Sequence, residues 1–155
     1  MTLVVYVGGA RSGKSTLAVE RAKAQGAAVT FIATGEAGDE EMAERIERHK
    51  RERPGEWTTV EEPRELAAAL ASVSDTDTVI VDCLSLWVAN GGDGAVPAAR
   101  GGLTIAVTNE VGLGIVPDNA LARAYRDSLG RVNAAWVAAA DEAYFVVAGR
   151  TLRLA

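Results

Sequence analysis

The chain is short of several residues and patterns that would point to a function. It has one cysteine, Cys83, and one histidine, His49, in 155 residues. A single cysteine excludes an internal disulfide framework and suits a reducing compartment. Basic residues are not in excess: 16 lysines and arginines face 21 acids, for a net charge of −5. Such a chain has no general attraction to nucleic acid or an anionic membrane, so any phosphate it binds must be held by a local site. No apolar run approaches the roughly 18 residues that suggest a bilayer span, so membrane insertion is not expected. The N-terminus leads directly into a strand-like segment with no leader-like pattern, and the expected location is cytoplasmic. At 48% hydrophobic and 24% charged, the chain has the composition of a globular protein, and its length predicts one domain over 1–155.

Against this sparse background one stretch is dense in meaning. Gly8-Gly9-Ala10-Arg11-Ser12-Gly13-Lys14-Ser15 matches G-x-x-x-x-G-K-[S/T], the phosphate-binding P-loop. Before it, Leu3-Val4-Val5-Tyr6-Val7 reads as a buried strand; after it, Ser15 to Ala24 reads as a helix without Gly or Pro. Glycines let successive N–H groups turn toward one anion, and the helix N-terminus adds partial positive charge. Lys14 is then expected to reach the β- and γ-phosphates, and the Ser15 hydroxyl to help hold Mg²⁺. Lys14, at a loop-to-helix junction, is expected to be exposed rather than part of the core.

Downstream, strands and helices alternate. Val29–Ala33 reads as a second strand ending at Thr34-Gly35, and a helix follows with Asp39, Glu40 and Glu41 in its first turn. It should run to about Arg53, before Pro54-Gly55. Met42, Ile46 and His49 share one face, expected to be the buried one. His49 also lies among Arg45, Arg48, Lys50, Arg51 and Arg53. Two readings stand at this point: a histidine on the flank of a solvated helix, or an imidazole turned inward beside cations that hold a nucleotide. Trp57–Glu61 alternates like a strand, and Pro63 to Ala71 reads as a helix with Pro63 in its first turn. Thr78–Asp82 is a β-branched strand ending in an acid, the position from which a carboxylate orders Mg²⁺ in P-loop proteins.

Ser85–Asn90 predicts a short helix before a glycine-bracketed loop, and Leu103–Thr108 a strand running into Asn109-Glu110. Asp118 is the expected N-cap of a long helix to about Ala140. Its apolar stripe would be Leu121, Tyr125, Leu129, Val132 and Trp136, with Arg123, Asp127 and Arg131 on another face. Tyr144–Ala148 and Thr151–Leu154 end the sequence as a strand and an edge hairpin. This order predicts an α/β fold of the P-loop NTPase (RecA-like) kind. Its mostly parallel sheet would be flanked by helices and carry a C-terminal antiparallel edge strand. Ligands of such sheets bind beyond the strand C-termini, where Gly8–Ser15, Thr34-Gly35, Asp82 and Asn109-Glu110 should collect.

Nearly the whole chain resembles the bifunctional adenosylcobinamide kinase / adenosylcobinamide-phosphate guanylyltransferase family of cobalamin biosynthesis. The resemblance is carried by the P-loop, Ile32-Ala33-Thr34, and Arg45-Ile46 through His49-Lys50 to Arg53-Pro54. Most distinctive is Asn109-Glu110-Val111-Gly112-Leu113-Gly114-Ile115-Val116-Pro117 with Leu121-Ala122-Arg123, Arg126-Asp127 and Gly130-Arg131-Val132-Asn133. The resemblance implies two reactions. ATP or GTP phosphorylates the aminopropanol hydroxyl of adenosylcobinamide, and GMP from GTP is then moved onto adenosylcobinamide phosphate by way of a histidine, here His49. It implies nucleotide-binding positions at Gly8, Gly9, Ala10, Arg11, Ser12, Gly13, Lys14, Ser15, Ala33, Thr34, Gly35, Lys50, Arg51, Glu52, Arg53, Glu61 and Asp82. Catalytic roles fall to His49, Lys14 and Asp82, and Mg²⁺ to Ser15 and Asp82. Asp82 stands where the family more often has Glu. The resemblance also suggests a homo-oligomer, a trimer.

Between Trp87 and Leu103 the chain departs from the family, which usually has a longer, largely helical crossover there. Two other readings therefore stand beside the first: a P-loop kinase of another small alcohol, and a nucleotide-binding module lacking transferase activity.

Overall fold

The computed structural model describes residues 2–93 and 100–154. Its strands are β1 (Thr2–Gly8), β2 (Val29–Ala33), β3 (Thr58–Glu61), β4 (Thr78–Asp82), β5 (Leu103–Asn109), β6 (Glu142–Val147) and β7 (Arg150–Arg153). They form one sheet in the order β3-β2-β4-β5-β1-β6-β7. Every pairing is parallel except the β6–β7 hairpin. The helices are α1 (Lys14–Gln25), α2 (Glu40–Arg51), α3 (Leu66–Ser72), α4 (Leu84–Ala89) and α5 (Ala120–Ala139). The expected mostly parallel sheet, helices and antiparallel C-terminal edge strand are all present.

The central strands are apolar at consecutive positions because both faces of the sheet are covered. Alternation sends Leu3, Val5 and Val7 of β1 to one side, where Leu66, Leu84, Trp87, Leu129, Val132 and Trp136 pack. Val4 and Tyr6 point to the other side, among Ala18, Ala22, Phe31, Ile80, Ile105 and Val107. Small residues on α1 let that helix lie close to the sheet directly behind the P-loop. Along this axis β4, β5 and β1 bring their C-terminal ends to one edge.

Several local expectations are corrected. Asn119, not Asp118, is the N-cap of α5: its extended backbone lets Oδ1 accept the Ala122 N–H at 2.8 Å. Leu121 is 82% exposed, so the apolar stripe begins one turn later, at the half-buried Tyr125. Twenty helical residues span about 30 Å and outrun a seven-residue strand, leaving the first turn nothing to pack on. Arg123, Asp127 and Arg131 do not pair with one another along their face. Arg123 donates to the Pro117 carbonyl, Asp127 pairs with Arg126, and Arg131 donates to Ser128.

Pro63 lies outside α3 rather than in its first turn. The Glu62 carboxylate accepts the N–H groups of Arg64 and Glu65, so a turn comes first and the helix starts at Leu66. Asp39 is the N-cap of α2 rather than a first-turn residue, and the helix ends at Arg51, short of Arg53. No residue of α2 is buried. The Met42, Ile46, His49 face is half-buried and lines a cavity instead of packing into the core. Part of the glycine-bracketed loop, residues 94–99, lies outside the described residues.

Candidate active site

The P-loop begins where β1 runs out. A side chain at Gly8 would collide with the Val146 carbonyl of neighbouring β6, so only glycine fits there. Gly13 takes φ 103° as the N-cap of α1, a left-handed conformation that favours glycine. The tip of the β6–β7 hairpin braces the loop, with the Gly149 N–H donating to the Ser12 carbonyl at 2.7 Å. No pattern in the sequence points to that brace, because it links residues 137 positions apart in a turn with no chemistry of its own.

Lys14 is 7% exposed, contrary to the expectation of an exposed residue. Its ammonium folds back across the loop and donates to the Gly9 carbonyl at 2.5 Å, with Ser12 Oγ at 3.4 Å. Burial lowers its pKa, opposed by Cys83 and Asp82 nearby. Asp82 ends β4, two strands from the P-loop strand in the sheet, and Oδ2 accepts the Ser15 hydroxyl at 2.8 Å. Next to it Cys83 is 8% exposed, and burial pushes its thiol up to about 11, so it remains protonated at neutral pH.

These groups share a cavity of about 520 Å³ with the inner face of α2. Of the residues expected at a nucleotide site, Ala10, Arg11, Ser12, Gly13, Lys14, Ser15, Ala33, Gly35, His49, Glu52, Arg53, Glu61 and Asp82 line it. Gly8 and Gly9, at the start of the loop, do not line the cavity. Thr34 is fully buried and does not reach the cavity; its hydroxyl accepts the Cys83 N–H at 2.9 Å and donates to the Cys83 carbonyl at 2.6 Å. Thr34 thereby ties the end of β2 to the end of β4. Lys50 turns aside to Glu61 at 2.6 Å and Glu47 at 3.2 Å, and Arg51 is exposed on the outer face. The Lys50 contact holds the Glu61 carboxyl below its ordinary range.

The cavity also contains residues outside the expected nucleotide-binding and catalytic set. Arg45 stands one helical turn before His49, and Met42, Ile46 and Leu86 supply apolar wall. The Arg53 guanidinium lies 3.6 Å from the centre of the Phe31 ring, and its Nη1 donates to Thr59 Oγ1 at 3.1 Å. Burial lowers its pKa, while Asp82 and Glu61 oppose that shift. Arg53 Nε is buried without a hydrogen-bond partner among the described residues. Arg11, Lys14, Arg45 and Arg53 therefore face Glu52, Glu61 and Asp82 around one space, a balance that favours a polyanion. Asn109 lines the same wall, whereas Glu110 lies outside it.

The family model described as cobinamide kinase / cobinamide phosphate guanyltransferase matches residues 3–98 and 94–154. The chain is 42% identical to the bifunctional adenosylcobalamin biosynthesis protein CobP of Pseudomonas aeruginosa, covering 97% of this chain and 95% of that one. It is 38% identical to CobU of Escherichia coli and 37% to CobU of Salmonella typhimurium, both named bifunctional adenosylcobalamin biosynthesis proteins. Each of these alignments covers 95% of this chain and 96% of the relative. They extend over 165 to 175 positions, more than the 155 residues here, so the relatives carry stretches that this chain lacks. The two stretches matched by the family model meet at 94–98, within the segment that departs in length. Among solved structures, the flagellar accessory protein FlaH of Methanocaldococcus jannaschii superposes with a TM-score of 0.51 at 14% identity. That match covers 99% of this chain and 77% of FlaH, and shows a shared fold alone.

Proposed function

Because the chain belongs to the cobinamide kinase / cobinamide phosphate guanyltransferase family, we propose that both reactions of that family run in the one cavity between the P-loop and α2. The observation that carries this reading is that Lys14 and His49 line the same space. In the kinase step the substrate hydroxyl oxygen bonds to the γ-phosphorus, the bridging Pγ–O bond breaks to release the nucleoside diphosphate, and the hydroxyl proton passes to solvent. Lys14 stabilises negative charge on the departing β,γ-oxygens, and the P-loop N–H groups hold the phosphates in line. In the transferase step a neutral His49 ring nitrogen attacks the α-phosphorus of GTP and pyrophosphate leaves. A phosphate oxygen of adenosylcobinamide phosphate then takes GMP from the histidine. Arg45 and Arg53, on the His49 side, are placed to neutralise charge at the α-phosphate.

Ser15 and Asp82 are the residues to hold Mg²⁺. A hydroxyl and a carboxylate already 2.8 Å apart form a hard-oxygen pair of the kind this ion accepts beside substrate phosphates and water. When bound, the ion would neutralise charge on the β- and γ-oxygens. Asp82→Asn keeps the shape and removes the charge. It is expected to shift the Mg²⁺ titration of kinase activity upward by about tenfold or more. An unchanged titration would move the metal to another acid such as Glu61.

We take residues 1–155 as a single catalytic unit, a reading supported by the one seven-stranded sheet on which the described elements are built. The lone buried cysteine suits a reducing compartment, and we assign the reactions to the cytoplasm; among the described residues no helix is long and apolar enough to cross a membrane. Leu113, Ile115, Val116 and Leu121, exposed by 78%, 98%, 61% and 82%, give the homo-oligomer suggested by the resemblance an apolar surface to bury. The test of the whole reading is incubation of the chain with α-labelled GTP and Mg²⁺, then adenosylcobinamide phosphate. Label should first stay on the protein and then pass to the corrinoid. Label that never becomes protein-bound would exclude the covalent route.

A further inference from the structure

The register of the sheet places β5 between the P-loop strand and the Asp82 strand, with Asn109 opposite Gly8 and Val107 opposite Asp82. Asn109 thus enters the cavity between the two sides of the phosphate site. Its main chain is held from both directions. The Asn109 N–H donates to Ser85 Oγ at 2.7 Å, and its carbonyl accepts from Asn133 Nδ2 at 2.9 Å. Asn133 is 6% exposed, and the Thr108 hydroxyl fixes its orientation by donating to Oδ1 at 2.6 Å. Tyr125 donates to the Ser85 carbonyl at 3.0 Å, and the Glu110 N–H to the Gly8 carbonyl at 3.0 Å. Among the described residues the Asn109 carboxamide makes no hydrogen bond of its own.

Polar side chains buried at the α4–β5–α5 junction cost free energy unless each is satisfied, and aliphatic residues would fill the same space. What the polar set adds is a fixed direction for Asn109. We propose that Asn109 is a catalytic residue of the kinase step, its carboxamide donating a hydrogen bond to the phosphoryl group in transit, and that Asn133 and Ser85 are positioning residues that set its aim. A neutral donor suits this place, because Lys14 already supplies positive charge on one side and the Ser15–Asp82 pair lies on the other. Asn109 exchanges no proton; it stabilises oxygens whose charge changes as one P–O bond forms and the other breaks.

The inference rests on the kinase reading above, so the experiment separates the two. The full chain is assayed for phosphorylation of adenosylcobinamide with ATP varied. Asn109→Ala should lower kcat about 100-fold while KM for ATP stays within about threefold, as for a contact that is weak in the bound nucleotide and strengthens in the transition state. Asn133→Ala should lower kcat about tenfold in the parent and less than about twofold in the Asn109→Ala background, because its effect passes through Asn109. Equal losses in both backgrounds would make Asn133 merely structural, and an Asn109→Ala kcat within about twofold of the parent would remove Asn109 from the reaction. Should Asn133→Ala fail to fold, Ser85→Ala takes its place in the same comparison. Phosphorus NMR of a bound non-hydrolysable ATP analogue with Mg²⁺ gives a second readout. The γ resonance should move in Asn109→Ala while the α resonance holds. A parent chain that binds the analogue but phosphorylates nothing would overturn the kinase reading, whereas a parent that phosphorylates and loses nothing in Asn109→Ala would overturn the role of Asn109 alone.

Discussion

His49→Ala should lose the GMP adduct and at least about 10⁴-fold of guanylyl transfer, as expected when a covalent nucleophile is removed. It should still phosphorylate adenosylcobinamide within about threefold of the parent rate, because γ-phosphoryl transfer depends on the P-loop and Asp82 rather than α2. The fold should survive, since His49 is half-buried on a helix with no buried residue. In the parent, α-labelled GTP should give one adduct that is labile in acid and stable in alkali, the behaviour of phosphorus on an imidazole nitrogen. The labelled peptide must contain His49, because the chain has no second histidine. γ-Labelled GTP should leave nothing on it, since attack falls on the α-phosphorus. Label persisting in His49→Ala, or an acid-stable adduct, would place the nucleophile elsewhere.

Lys14→Ala should reduce phosphorylation of adenosylcobinamide by about 10³-fold, through loss of the cation that meets the β,γ-oxygens as charge builds on them. Stability should change by only about 1 kcal/mol. The substitution removes a hydrogen bond to the Gly9 carbonyl, but it also removes a buried charge whose desolvation is already felt in the lowered pKa. Guanylyl transfer should fall too, because both nucleotides use the same loop. This separates the two variants: Lys14→Ala damages both steps, whereas His49→Ala damages one. Thermal denaturation beside the assay distinguishes lost chemistry from lost fold. A Lys14→Ala chain that phosphorylates at the parental rate would show that the phosphate site has been misplaced.

The local features of this protein were legible in its sequence because their causes are local. The β-branched runs of β1, β2 and β4 read as buried strands, the glycines of 8–13 as a loop, and the period of α5 as a helix with Leu129, Val132 and Trp136 inward. Where two neighbours could do the same job, sequence was indecisive. Asp118 and Asn119 are both good caps, and only the extended backbone at Asn119 decided between them. By spacing, the Met42, Ile46, His49 face is the buried one, since the rest of its helix is charged; tertiary structure makes it a half-buried cavity wall, with no residue of α2 in the core. The buried Lys14, the Arg53–Phe31 contact, the Gly149 brace and the Ser85–Asn109–Asn133 network had no signature at all. Apart from Lys14, which folds back within its own loop, each joins segments far apart in the sequence. The chain by itself determined where a P-loop could form and that it holds a single histidine. Only the tertiary structure decided that they share one cavity and what holds them there, because side-chain aim is set by contacts between segments far apart in sequence.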